Sequence, residues 1–175
     1  YPSGGGGRIA VTVTNSGAKI AGFSGAFECD GGALGSSNRD RIAGAGTIYL
    51  RDADEGLEEG TLIIDNNNMS TTVRWTPIIP EVTGRNFGRI EVRNKGVLRL
   101  ASDENITVSR AFSNMSGVLL AESNSEVTLV GDESARIAGT STFFDLVCEV
   151  PGKEVRFGED SVTTISGGGL FRMRG

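Results

Sequence analysis

The chain has 175 residues, with 22 acidic and 17 basic side chains, a net charge of −5 and no histidine. Its length and its 38% hydrophobic content suit one folded domain with a sizeable core. The missing histidine excludes Ser-His-Asp and Cys-His catalysis within the chain, and interspersed charges without a basic, aromatic-laced stripe argue against nucleic-acid binding.

The chain opens on Tyr1-Pro2-Ser3 and four glycines, which is not a signal peptide, and closes as abruptly on Arg172-Met173-Arg174-Gly175. Both ends read as those of a segment cut from a longer protein. Between them run short stretches rich in Val, Ile and Thr, each bounded by Gly, Asn, Asp or Ser: 8–14, 47–50, 61–64, 89–92, 97–100 and 106–108, then 118–121, 127–130, 143–150, 155–157 and 162–165. This is strand chemistry with turn punctuation. No stretch has a sustained helical period, and none approaches the roughly 18 apolar residues of a membrane helix, so no membrane insertion is expected.

Three acidic turns, 102–105, 131–134 and 158–161, begin 29 and 27 residues apart. Three short strands fit each interval, so the unit is about 28 residues long and stacks on its neighbours. The expected fold is all-β: a single-stranded right-handed parallel β-helix with about three short strands per coil. It forms one domain over 1–175, with long-looped coils in 1–86 and regular repeats in 87–175. Excursions at 33–43, 52–60 and from 66 to 70 or beyond absorb the longer spacing of the first half. In this register Leu98, Leu100, Val127, Leu129, Val155 and Phe157 point inward as ladders, and Arg99, Thr128 and Arg156 point outward. Cys29 and Cys148 fall in coils about four steps of 4.8 Å apart, beyond the reach of a disulfide. Cys148 shares a face with Leu146 and Val150 and reads as a buried, inert thiol.

Few residues stand out as sites. Asp52, Asp54, Glu55, Glu58 and Glu59 offer the oxygens calcium prefers, but lack the spacing of an EF-hand loop and suit a solvated loop better. No other cofactor is indicated. The acidic turns allow a carboxylate column, although Asp, Asn and Ser are ordinary turn residues. Trp75, the sole tryptophan, suits either a sugar-stacking platform or a packing anchor. Asn68, Asn105 and Asn114 match the glycosylation acceptor pattern, and the opening glycines lack the Lys-Ser/Thr pair of a phosphate loop.

The segments Gly4 to Val11, Gly44-Ala45-Gly46-Thr47-Ile48-Tyr49-Leu50 and Gly60-Thr61-Leu62-Ile63-Ile64-Asp65-Asn66 resemble glycine-rich solenoid segments of large bacterial secreted or surface proteins. The stretches Phe143-Phe144-Asp145-Leu146, Pro151 to Gly158 and Thr164-Ile165-Ser166-Gly167 are similar to the repeats of adhesin-like β-helices. The resemblance implies a non-catalytic structural or adhesive module at an extracellular or cell-surface location. Its implied partners are neighbouring domains of a parent protein, other copies meeting at the open solenoid ends, and a surface glycan. The alternative expectation is a β-helix that binds or degrades polysaccharide, since paired carboxylates suffice for glycoside cleavage.

Overall fold

Short β-branched runs separated by tight turns bury their apolar faces only by stacking on one another. The computed structural model, which describes residues 4–32, 42–71, 74–78 and 85–174, shows this stacking as an all-β solenoid of about four turns. The first half holds β1 (Arg8–Thr12), β2 (Thr47–Arg51), β3 (Thr61–Asp65) and β4 (Thr76–Pro77), with one 3₁₀ turn at Ile20–Gly22. The coils then run through β5 (Asn86–Arg93), β6 (Val97–Leu100), β7 (Asn105–Asn114), β8 (Val118–Ala121), β9 (Glu126–Leu129) and β10 (Ala135–Ile137). The last elements are β11 (Thr140–Phe143), β12 (Asp145–Cys148), β13 (Val155–Phe157), β14 (Thr163–Ile165) and β15 (Phe171–Met173).

One sheet follows the path β1-β2-β3-β5-β7-β9-β12-β15, with β10 and β13 paired alongside; the other runs β14-β11-β8-β6-β4. The pairing corrects the expected repeat. Thr76, Leu98, Leu119, Ser141 and Thr163 share one line across the smaller sheet, at steps of 22, 21, 22 and 22 residues. The coil is therefore 21–22 residues long here, not about 28. The three acidic turns lie at three different corners and form no column: Asp103 instead stacks on Asn124, whose Nδ2 donates to Asp103 Oδ1 at 3.1 Å. Both residues adopt the left-handed backbone (φ 64° and 60°) that Asp and Asn tolerate best among non-glycine residues.

Leu98 and Leu100 belong to the smaller sheet, whereas Val127 and Leu129 belong to the larger one, so they are not neighbours in one ladder. They still meet in the lumen, because alternation buries all four completely, while Arg99 and Thr128 lie on the partly open outer face. The lumen is one continuous apolar column from Leu62 and Ile64 through Ile90, Phe112 and Leu129 to Leu146 and Cys148. The expected run 143–150 breaks at Phe144, where the chain turns from β11 of one sheet into β12 of the other. No disulfide forms: Cys29 and Cys148 are both free and buried, and burial pushes each thiol above its ordinary value.

The two ends of the core differ, although β1 and β15 are both edge strands of the larger sheet. β2 runs antiparallel to β3, the one reversal in an otherwise parallel array of described strands, and β1 pairs parallel to β2. This reversed pair and the segment leading into it bring Ala45 and Tyr49 against the first coil, where Leu62, Ile64 and Ile78 are buried. A smaller cluster of Cys29, Ile48 and Ile63, flanked by Ile9, Phe27 and Leu50, completes this cap. Most of the 33–43 excursion lies outside the described residues. At the other end no described residue covers the last coil. Phe157 stands in register with buried Ile137, Phe171 with Leu146 and Met173 with Cys148, yet the three remain 48%, 46% and 45% exposed.

Corner residues tie coil to coil. Asp65 accepts from Arg93 Nε at 2.8 Å, from Asn94 Nδ2 at 3.0 Å and from the Asn67 N–H at 2.9 Å. Burial pushes this carboxyl up, but those three donors outweigh it and hold it below the ordinary 3.8. A carboxyl depressed in the folded state contributes fully above its unfolded pKa and loses that contribution as pH falls through the folded value. Stability is therefore expected to drop as pH falls below about 3.8, and Asp65→Asn should flatten that drop. Superimposable acid-unfolding profiles for the two proteins would refute this role for Asp65.

Candidate functional site

The acidic hairpin, residues 52–60 between β2 and β3, does not gather its carboxylates. Asp52 Oδ1 accepts the Ile20 N–H at 2.6 Å, and Asp54 pairs with Lys19. Glu55, almost fully enclosed, takes the Asp52 N–H at 2.9 Å on one oxygen and Arg110 on the other, with Arg89 at 3.9 Å. Glu58 accepts from Asn86 Nδ2 at 2.7 Å, and Glu59 accepts the Gly56 N–H at 2.9 Å. The five expected calcium candidates are thus turned to cations and amides: Lys19 serves Asp52 at 3.6 Å as well as Asp54, and Arg110 serves Glu59 at 4.0 Å as well as Glu55. Among the described residues no group of three or more His, Cys, Asp or Glu side chains could hold a metal ion. The hairpin acts instead as a clasp: Arg89 reaches Glu133 at 2.6 Å as well, so Glu55, Arg89, Arg110 and Glu133 join the cap to two later strands.

Trp75 lies just before β4 and is 44% exposed. The Arg99 guanidinium sits 4.3 Å over its ring centroid and is itself held by Glu122 Oε1, 2.6 Å from Arg99 Nε. The ring borders a cleft of about 390 Å³. Its other walls are two backbone-rich segments, 5–7 and 43–47, together with Arg8, Arg74 and Pro77. The floor closes only because glycine stands there. A Cβ at Gly46 would lie 1.8 Å from the Gly7 carbonyl oxygen and 2.4 Å from Cys29 Sγ, contacts no side chain survives. The buried Thr76 hydroxyl donates to the Ala45 carbonyl and fixes β4 to the opposite wall. Among the described residues no carboxylate lines the cleft, and neither Arg8 nor Arg74 has an ion-pair or hydrogen-bond partner for its guanidinium.

Sequence reasoning singled out Trp75 and missed both arginines. Arg8 stands 66 residues before Arg74 in the chain, and only the reversal of β1 and β2 brings its strand to this wall. Of the three glycosylation-pattern asparagines, Asn68 and Asn105 are exposed. Asn114 is not available, because it is fully buried. Its Nδ2 donates to Ser141 Oγ at 2.9 Å and to the Thr140 carbonyl at 3.2 Å, and its Oδ1 accepts the Gly117 N–H at 2.9 Å.

The uncovered end is the second distinctive surface. Phe157 and Phe171 meet edge to face across the lumen, with ring centroids 6.2 Å apart, and with Leu146, Thr163 and Ile165 they line a shallow apolar basin. Comparison with known proteins finds no match to a family model, a curated protein or a solved structure.

Proposed function

We propose that the chain is a non-catalytic structural or adhesive module, a rigid spacer of an extracellular bacterial protein that presents side loops and docks through its uncovered end. The carrying observation is the asymmetry of that end. Phe157, Phe171 and Met173 occupy core positions of the stacking register and remain about half exposed, while the opposite end is covered by Ala45 and Tyr49. Exposed apolar faces with unpaired strand edges favour association. The resemblance of the glycine-rich segments to secreted and surface solenoids supports the extracellular setting. The exposed face fits a neighbouring segment of a parent protein or the same end of a second copy, and in the isolated chain only the second copy is available, closing the assembly as a pair.

The test is light scattering across a wide dilution series. Weak, concentration-dependent dimerisation is expected, and Phe157→Ser with Phe171→Ser should abolish it without unfolding the earlier coils. A strictly monomeric protein up to roughly millimolar concentration, the range where weak contacts register, would overturn the docking role.

A further inference from the structure

We propose that the Trp75 cleft binds an acidic saccharide, with a sugar ring against the indole and its carboxylate or sulfate held by Arg8 and Arg74. The inference goes beyond the scaffold role and is independent of the uncovered end, since the cleft lies within the capped end of the solenoid. Three observations carry it. First, two arginines whose guanidiniums have no partner among the described residues line one cleft, and no described residue lining it is a carboxylate, in a protein whose net charge is −5. Elsewhere the coil and hairpin arginines are mostly paired, as Arg89, Arg93, Arg99 and Arg110 are. A planar guanidinium fork matches a carboxylate or sulfate through two parallel hydrogen bonds.

Second, the indole is presented and held. Arg99 packs over the ring and Glu122 fixes Arg99, so the ring orientation is set before any ligand arrives. An aromatic ring with open surface suits the apolar C–H face of a pyranose. Third, the remaining walls are mostly backbone from two glycine-rich segments, which offer amide N–H and C=O groups to sugar hydroxyls. The volume, about 390 Å³, falls within the range of small-ligand sites and suits one or two sugar units.

Trp75 is the only tryptophan, so the emission of the intact chain reports on the cleft directly. The probes are an oligogalacturonate, a sulfated oligosaccharide, a neutral cello-oligosaccharide of the same length, and sodium sulfate at matched ionic strength. A saturable change in emission is expected with one or both acidic oligomers, weakening as salt rises; which of the two responds identifies carboxylate or sulfate as the anchor. Arg8→Gln and Arg74→Gln, each with an unchanged circular dichroism spectrum, should weaken binding at least about tenfold, the scale of losing a charge-assisted hydrogen bond. No response to either acidic oligomer would overturn the proposal. So would an equal response to the neutral oligomer, the same saturation with sulfate alone, or full affinity in both variants.

Discussion

Replacing Leu129 by alanine is expected to lower the stability of the fold by about 2–5 kcal/mol, the cost of a buried leucine truncation. The side chain is fully enclosed. It is stacked between Val108 of the preceding coil and Cys148 of the following one, and the parallel strands that fix its neighbours leave little room for collapse. The companion variant Phe157→Ala removes a larger side chain from an equivalent inward position, in register with Ile137. It should nevertheless cost much less, because Phe157 is 48% exposed and no described strand pairs beyond it to leave a cavity. Denaturant melting of both variants measures the contrast. A Leu129→Ala change near zero would mean that the alternation is misplaced by one residue, and a Phe157→Ala cost equal to that of Leu129 would mean that the last coil is covered.

Lys153→Met is expected to destabilise the protein by at least about 2 kcal/mol, since stranding one buried carbonyl costs about 1–3 kcal/mol and this change removes the ammonium from one buried and two part-buried carbonyls. Lys153 is only 5% exposed. Its ammonium donates to the Gly131 carbonyl at 2.6 Å, to the Arg110 carbonyl at 3.3 Å and to the Glu133 carbonyl. An ammonium has three donors and no acceptor, so the three carbonyls match its valence. Burial pushes Lys153 below its ordinary 10.5, yet the carbonyls it satisfies come from the same corner of two successive coils, where the strands swing from β9 to β10 and bend within β7. Methionine preserves the stem and removes the donors. Lys95→Met, at an exposed turn, is the control and should leave stability unchanged. Equal midpoints for the two variants would show that the carbonyls find other donors.

The fold class was legible because most strands carry their own signal: a few β-branched residues with a two-residue alternation, closed by Gly, Asn or Asp, although β4, β10 and β15 lack it. The coil length was not, because the acidic turns mislead. Residues 102–105 join β6 to β7, residues 131–134 join β9 to β10, and residues 158–161 follow β13, so their near-regular spacing compares unlike corners. The better marker is glycine. Gly96, Gly117 and Gly139 follow one another at 21 and 22 residues, and each occupies the same corner for a steric reason. A Cβ on Gly117 would lie 2.8 Å from the Gly96 carbonyl oxygen, and one on Gly139 would lie 2.4 Å from the Gly117 carbonyl oxygen.

The cap was legible only in part. The runs flanking 52–60 read as strands, but nothing local distinguishes a hairpin from an excursion between parallel coils. The antiparallel β2–β3 pairing follows from the tertiary placement of Glu55 on Arg89 and Arg110. For the same reason Trp75 was visible as a candidate and its cationic neighbours were not. At the C-terminal edge Leu170 and Phe171 are 50% and 46% exposed.

The coil register is the central structural claim, and cross-strand nuclear Overhauser effects in the isotope-labelled protein test it most directly. Neighbouring parallel strands lie about 4.8 Å apart, so backbone protons of paired residues give strong contacts. The 21–22-residue coil predicts contacts from the backbone of Leu98 to that of Leu119 and from Leu119 to Ser141, with no backbone contact between Leu98 and Val127. Backbone contacts from Leu98 to Val127, and from Val127 to Val155, would establish the 28-residue stacking instead and contradict the account.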